Sequence, residues 1–282
     1  MLKTYMADFI KKYILCTVMN IGLLTLAVFS PAYGASITLH VPILTDSPKL
    51  HLYFHELLKR SITDIGHTAK LVTQELPHLR IKHYLDSGRI SIFWMVESSA
   101  RNEQYTPIKM GLTNGLIGKR ILLIRSGNQY KFNNTKTLED FRKLNLLGGI
   151  GHKWFDVEVW KMNQLGYIEQ HGNWRAIFNQ VAAGRDYDYF SRGINEIVNE
   201  APQYPGLSIE KNLVFIYNRD FRFYLSKQGE HAGTKYKDII EKALEQAKKS
   251  GLIDKLVNKY WGRNLEKLDF KNRTKLYLKT PN

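Results

Sequence analysis

The stretch from Leu144 to Glu196 limits the fold more than any other part of the chain. Leu144 to Gly148 is a short apolar run that reads as a strand, broken at Gly148, Gly149 and Gly151, and a helical pattern (Phe155, Val159, Met162) begins directly behind it. A strand that ends in glycines before a helix leaves backbone N–H groups at the positive end of the helix dipole, which suits a carboxylate or phosphate. Trp154 stands at that mouth. Trp174, Ile177, Phe178, Val181 and Ala182 then fall at i, i+3, i+4, i+7 and i+8, so the spacing predicts a helix over 173–183, closed by Gly184. Residues 186–191 read as the next strand, with Arg192 to Glu196 at its C-terminal end, where open α/β sheets bind their ligands. The segment reads as one wall of a ligand cleft.

The N-terminal part follows the same rhythm. Residues 36–44 alternate like a strand, 50–65 carry an apolar helical stripe stopped by Gly66, 70–72 belong to a second strand, 79–85 to a helix, and 90–96 to a third, mostly apolar strand. Strand, helix, strand, helix, strand is the βαβ order of a parallel sheet. A polar loop, Glu97 to Tyr105, follows the third strand and carries Arg101. Lys119 to Arg125 form a further strand, and Thr137 with Asp140 resembles a capping box opening a short helix. Strands at 212–217 and 220–226, helices at 236–247 and 252–261, and a basic tail that straps the molecule complete the order.

Lys3, Lys11 and Lys12, an apolar run from Ile14 to Phe29 and the small-x-small triplet Ala32-Tyr33-Gly34 describe a cleavable export leader over residues 1–34. The only cysteine, Cys16, lies in that leader, so the mature chain has neither disulfide nor thiol chemistry, and cysteine-based metal sites and nucleophiles are excluded. Removing the leader's three lysines and one aspartate from the formal charge of +15 leaves +13. Such a charge favours anionic partners. The basic residues are dispersed without a recognition motif, and no nucleic-acid role is expected.

Taken together, Leu138-Glu139-Asp140-Phe141, Gly149-Ile150-Gly151, Ala182-Ala183-Gly184-Arg185-Asp186-Tyr187-Asp188, and Ala243-Leu244 through Gly251-Leu252 to Tyr260-Trp261-Gly262 carry a resemblance across nearly the whole mature chain. In order and spacing they resemble the periplasmic solute-binding proteins of the polar amino-acid ABC transporter type, bacterial extracellular solute-binding protein family 3. The resemblance implies a type II periplasmic-binding-protein fold, two α/β lobes with mixed or parallel sheets joined by two hinge strands. Residues 35–124 plus 221–282 would make lobe 1, and 125–220 lobe 2. It further implies a monomeric periplasmic protein that closes on a small polar solute and delivers it to a membrane ABC permease or a sensor's periplasmic domain, without a cofactor. Arg101 matches the family's carboxylate-binding arginine, Gly149 to His152 its backbone contacts, and Tyr53 loosely its aromatic wall.

One departure stands out. Where the family places an acid for the ligand's α-amino group, this chain has Ser191-Arg192-Gly193, with Glu196 beyond. Arg101, Arg192, Gly149, Gly151 and His152, with Trp154, Trp94, Tyr53 and Glu196 around them, are therefore expected to hold an acidic or amino-acid-like ligand through paired N–H forks. A periplasmic enzyme on the same scaffold, similar to the cyclohexadienyl dehydratases, is the alternative, with Glu97, Glu103 or Glu196 as general acid or base. His51-x-x-x-His55 has helical metal-ligand spacing, but no third ligand is apparent and no metal is expected. The glycines at 148, 149 and 151 match neither a dinucleotide fingerprint nor a P-loop.

Overall fold

The computed structural model describes residues 34–45 and 49–281. The expected leader lies outside the described residues except for Gly34. Among the described residues no helix is long and apolar enough to cross a membrane.

β1 (Ser36–Leu44), α1 (Leu50–Asp64), β2 (Thr68–Leu76), α2 (His78–Asp86), β3 (Ile92–Val96), α3 (Ser99–Gln104) and β4 (Thr106–Pro107) come first. β1 and β2 run parallel over nine residue pairs, from Ser36 and Thr68 to Leu44 and Leu76. Ile37, Leu39 and Val41 are buried at alternate positions of β1, because successive side chains of a strand point to opposite faces. Tyr53, Phe54, Leu57, Leu58 and Ile62 form the buried stripe of α1.

The middle of the chain supplies β5 (Lys119–Arg125), α4 (Leu138–Lys143), β6 (Gly148–Gly151), α5 (Phe155–Met162), β7 (Tyr167–Gln170), α6 (Ala176–Ala183), β8 (Tyr189–Gly193), α7 (Ile197–Glu200), β9 (Leu207–Ile209) and β10 (Leu213–Ile216). β11 (Phe221–Leu225), α8 (Lys237–Lys249), α9 (Leu252–Lys267) and β12 (Thr274–Tyr277) follow. β11 returns to pair antiparallel with β3 and β4. A second sheet runs in the order β12, β10, β5, β8, β6, β7, with β9 beside β5. Its central strand is buried on both faces: Ile121 and Leu123 belong to the larger hydrophobic cluster, Leu122 and Ile124 to the smaller. The capping box at α4 is present, with Thr137 Oγ1 accepting from Asp140 N at 3.1 Å and Asp140 accepting from Thr137 N at 2.9 Å.

The structure differs from the sequence reading at three places that bear on the site. Gly148–Gly151 is a strand and not a turn, paired in parallel with β7 over all four residues and with β8 at Gly148 and Gly149. Glycine is required there by close approach: a Cβ on Gly149 would lie 2.5 Å from Ile177, and one on Gly151 2.4 Å from the Trp154 ring. Arg192 lies inside β8, opposite Ile121, instead of following it. β5 and β12, both placed mainly in the expected lobe 1, hydrogen-bond into the sheet that holds β6, β7 and β8.

The tail does cross from one sheet to the other. β12 pairs in parallel with β10 from Leu213 and Thr274 to Ile216 and Tyr277. Asn163 fastens it with two hydrogen bonds of 2.8 Å to the backbone of Lys279. Arg273, buried, donates to the carbonyls of Leu268 (2.7 Å), Glu210 (2.6 Å) and Leu213 (3.0 Å).

Candidate ligand cleft

A cavity of about 340 Å³ opens between Ser98 and Arg101 on one side and the β6–α5 corner on the other. Ser98 caps α3 by accepting from Arg101 N at 3.4 Å, which fixes the backbone from which the arginine projects. Arg101 is half-buried, and its Nη1 donates to the Val96 carbonyl at the end of β3. Burial lowers its pKa from the usual arginine value, yet an arginine retains its proton at any physiological pH. Among the described residues no carboxylate forms an ion pair with it. A half-buried guanidinium on a cavity wall, bonded to a carbonyl and to no carboxylate among the described residues, is a ready site for an anionic group.

The opposite wall is His152, Trp154, Phe155 and Glu158, with Lys153 and Glu169 beside them. The β6–α5 turn places Trp154 at the N-cap of α5, and the missing Cβ of Gly151 leaves room for the indole. His152 Nδ1 lies 2.6 Å from Glu169, whose carboxyl is held below its ordinary value chiefly by that contact. The cavity thus carries groups of both signs.

The remaining sequence-selected residues are placed elsewhere. Tyr53 is buried in α1, its hydroxyl bonded to the Leu112 carbonyl. Trp94 is core, stacked on Phe54 with centroids 4.4 Å apart. Arg192 is buried and clamps Glu200 through two hydrogen bonds of 2.6 Å each. Its other neighbour is Glu196, at 3.2 Å. These carboxylates overcome the burial penalty and raise the Arg192 pKa. Glu196 also accepts from Gly193 N at 3.1 Å and lies 3.8 Å from Arg120. Arg192 and Glu196 therefore neutralise each other beneath the site, and neither is among the cavity's lining residues. Arg192 still reaches the cleft indirectly, its guanidinium carbon 5.6 Å from the Trp154 ring and 5.0 Å from Trp174.

Six lining residues were not singled out from the sequence: Ser98, Lys153, Phe155, Val157, Glu158 and Glu169. Ser98 was recoverable from its polar loop, whereas Glu169 sits on β7, whose four residues show no clean alternation.

No family model matches the chain, and no curated protein matches its sequence. Solved structures do. The probable amino-acid ABC transporter extracellular-binding protein ytmK from Bacillus subtilis is similar with a TM-score of 0.60 and 15% identity, over 80% of this chain and 98% of that one. An ancestral arginine-binding protein bound to glutamine gives 0.56 and 17%, over 80% and 98%. The ancestral amino acid-binding protein AncCDT-1, a precursor of cyclohexadienyl dehydratase, gives 0.53 and 17%, over 79% and 95%. The chain shares the two-lobed periplasmic-binding-protein fold of these structures.

Proposed function

We propose that this protein is an exported solute-binding protein that captures a small acidic or amino-acid-like solute between its lobes by hinge closure and delivers it to a membrane ABC permease. The observation that carries the reading is the Arg101 guanidinium on the cavity wall, without a carboxylate partner among the described residues. The similarity in fold to amino-acid-binding proteins supports the solute class. A carboxylate would take the Arg101 fork, with Trp154 and Phe155 flanking its carbon chain. The family's acid position for an α-ammonium holds Ser191-Arg192-Gly193 here, and the nearby Glu196 is engaged by Arg192 and Arg120, which favours ligands that do not depend on that contact.

Of the carboxylates considered for acid–base chemistry, Glu97 pairs with Arg222 at 2.9 Å, Glu103 is exposed and Glu196 is neutralised. This supports binding over turnover. A thermal-shift screen of amino acids, dicarboxylates and small phosphates is expected to return a stoichiometric stabiliser that is recovered unchanged. Arg101→Ala should weaken that ligand by about 1.5–3 kcal/mol, the worth of a hydrogen bond to a charged group, with little change in the melting temperature of the unliganded protein. Unaltered affinity in Arg101→Ala would remove the basis of the proposal.

A further inference from the structure

We infer that His51 and His55 form a two-histidine clip for a first-row divalent transition-metal ion such as Cu2+, Ni2+ or Zn2+, separate from the solute cleft. The two residues lie one turn apart at the start of α1, so both imidazoles project from the same side of the helix. Nδ1 of His51 and Nε2 of His55 are buried and without a hydrogen-bond partner. A buried polar atom left unpaired is costly, and two of them on adjoining rings call for a shared partner. A transition-metal ion is the partner that two imidazole lone pairs can share.

The ring geometry agrees. Two imidazoles bound to one tetrahedral ion at ~2.0–2.1 Å bring their ring centroids to about 5 Å apart, tilted with respect to each other. The centroids of His51 and His55 are 5.1 Å apart, with an interplanar angle of 53°. The other close histidine pairs do not meet this condition. His40 and His231 are stacked face to face at 3.5 Å and 0°, which points their lone pairs along parallel planes. His152 and His171 lie 4.1 Å apart at 30°, and His152 Nδ1 is taken by Glu169. Among the described residues no group of three His, Cys, Asp or Glu is arranged to hold a metal ion, so the clip supplies two protein ligands. With two protein ligands it differs from a closed four-ligand structural zinc site.

Untagged protein stripped with EDTA and titrated calorimetrically with copper, nickel and zinc chlorides tests this. One ion per chain is expected, with copper bound more tightly than nickel or zinc, and a rise in melting temperature that depends on metal concentration. His51→Gln and His55→Gln should each weaken binding roughly tenfold or more, whereas His152→Gln and His231→Gln should leave it unchanged. His51 is the more solvent-accessible of the two, so His51→Gln is the variant expected to keep its metal-free melting temperature and to carry the test if His55→Gln folds poorly. No binding by the parent, or binding that survives both clip substitutions or is lost on His152→Gln, would overturn the assignment.

Discussion

Arg192→Ala is expected to lower the unfolding free energy by about 3–5 kcal/mol, the cost of removing one partner from a buried ion pair. The side chain is 5% exposed, and its partners Glu196 and Glu200 are 16% and 21% exposed. Without it those carboxylates would lose three charge-assisted contacts and face the remaining cation, Arg120, which is already bound to Asp156 at 2.7 Å. Most of the loss comes from the uncompensated acids. Arg192→Met combined with Glu200→Met should therefore recover a large part of it, because apolar replacement of a whole buried pair is often neutral. Urea unfolding followed by tryptophan fluorescence measures both variants. Because the guanidinium also lies against Trp154 and Trp174, the native emission of Arg192→Ala should change as well. A loss below about 1 kcal/mol would mean that the pair is far better hydrated than its burial implies.

The second large effect is acid destabilisation through His55. Burial first, and the neighbouring His51 second, lower its pKa from 6.5 to about 4, against a smaller opposing contribution from a hydrogen bond with the Pro42 backbone. The Trp94 ring lies 5.9 Å away. A histidine with a depressed folded-state pKa is penalised only when protonated, so the unfolded chain binds more protons than the folded one between the two values. Stability is therefore complete above pH 6.5, falls as the pH drops from 6.5 towards about 4, and levels off below. The total is on the order of 3 kcal/mol, from 1.36 kcal/mol per pKa unit. His51 and His40 are shifted in the same direction and add to the trend. Unfolding measured between pH 7 and pH 5 in the presence of EDTA should show this slope, and His55→Gln should flatten it. An unchanged slope in that variant would assign the effect to other groups.

Periodicity made most of the framework readable. β5, β11, α8 and both ends of α1 lie within a residue or two of where the pattern places them, because each has a buried face of regular spacing. The reading failed where a residue's role depends on a distant neighbour. Gly148, Gly149 and Gly151 look like a turn in isolation, but they are glycines because Tyr189, Ile177 and the Trp154 ring occupy the space a side chain would need. Arg192 looks like an anion fork until Glu200, on the following short helix, is brought back against it. Tyr53 and Trp94 could not be assigned to wall or core without knowing that Phe54, Trp261 and Leu112 surround them. Arg101, His152 and Trp154 line the cavity; each lies in the segment that follows a strand, where chain order predicts an opening.

The C-terminal segment changes the mechanics that such a fold would otherwise have. β12 is fastened to β10, Asn163 holds Lys279, and Arg273 ties the preceding segment back to the Leu268 carbonyl, so the tail is anchored along its length. In the hinge closure proposed above, the tail moves together with the sheet to which it is bonded.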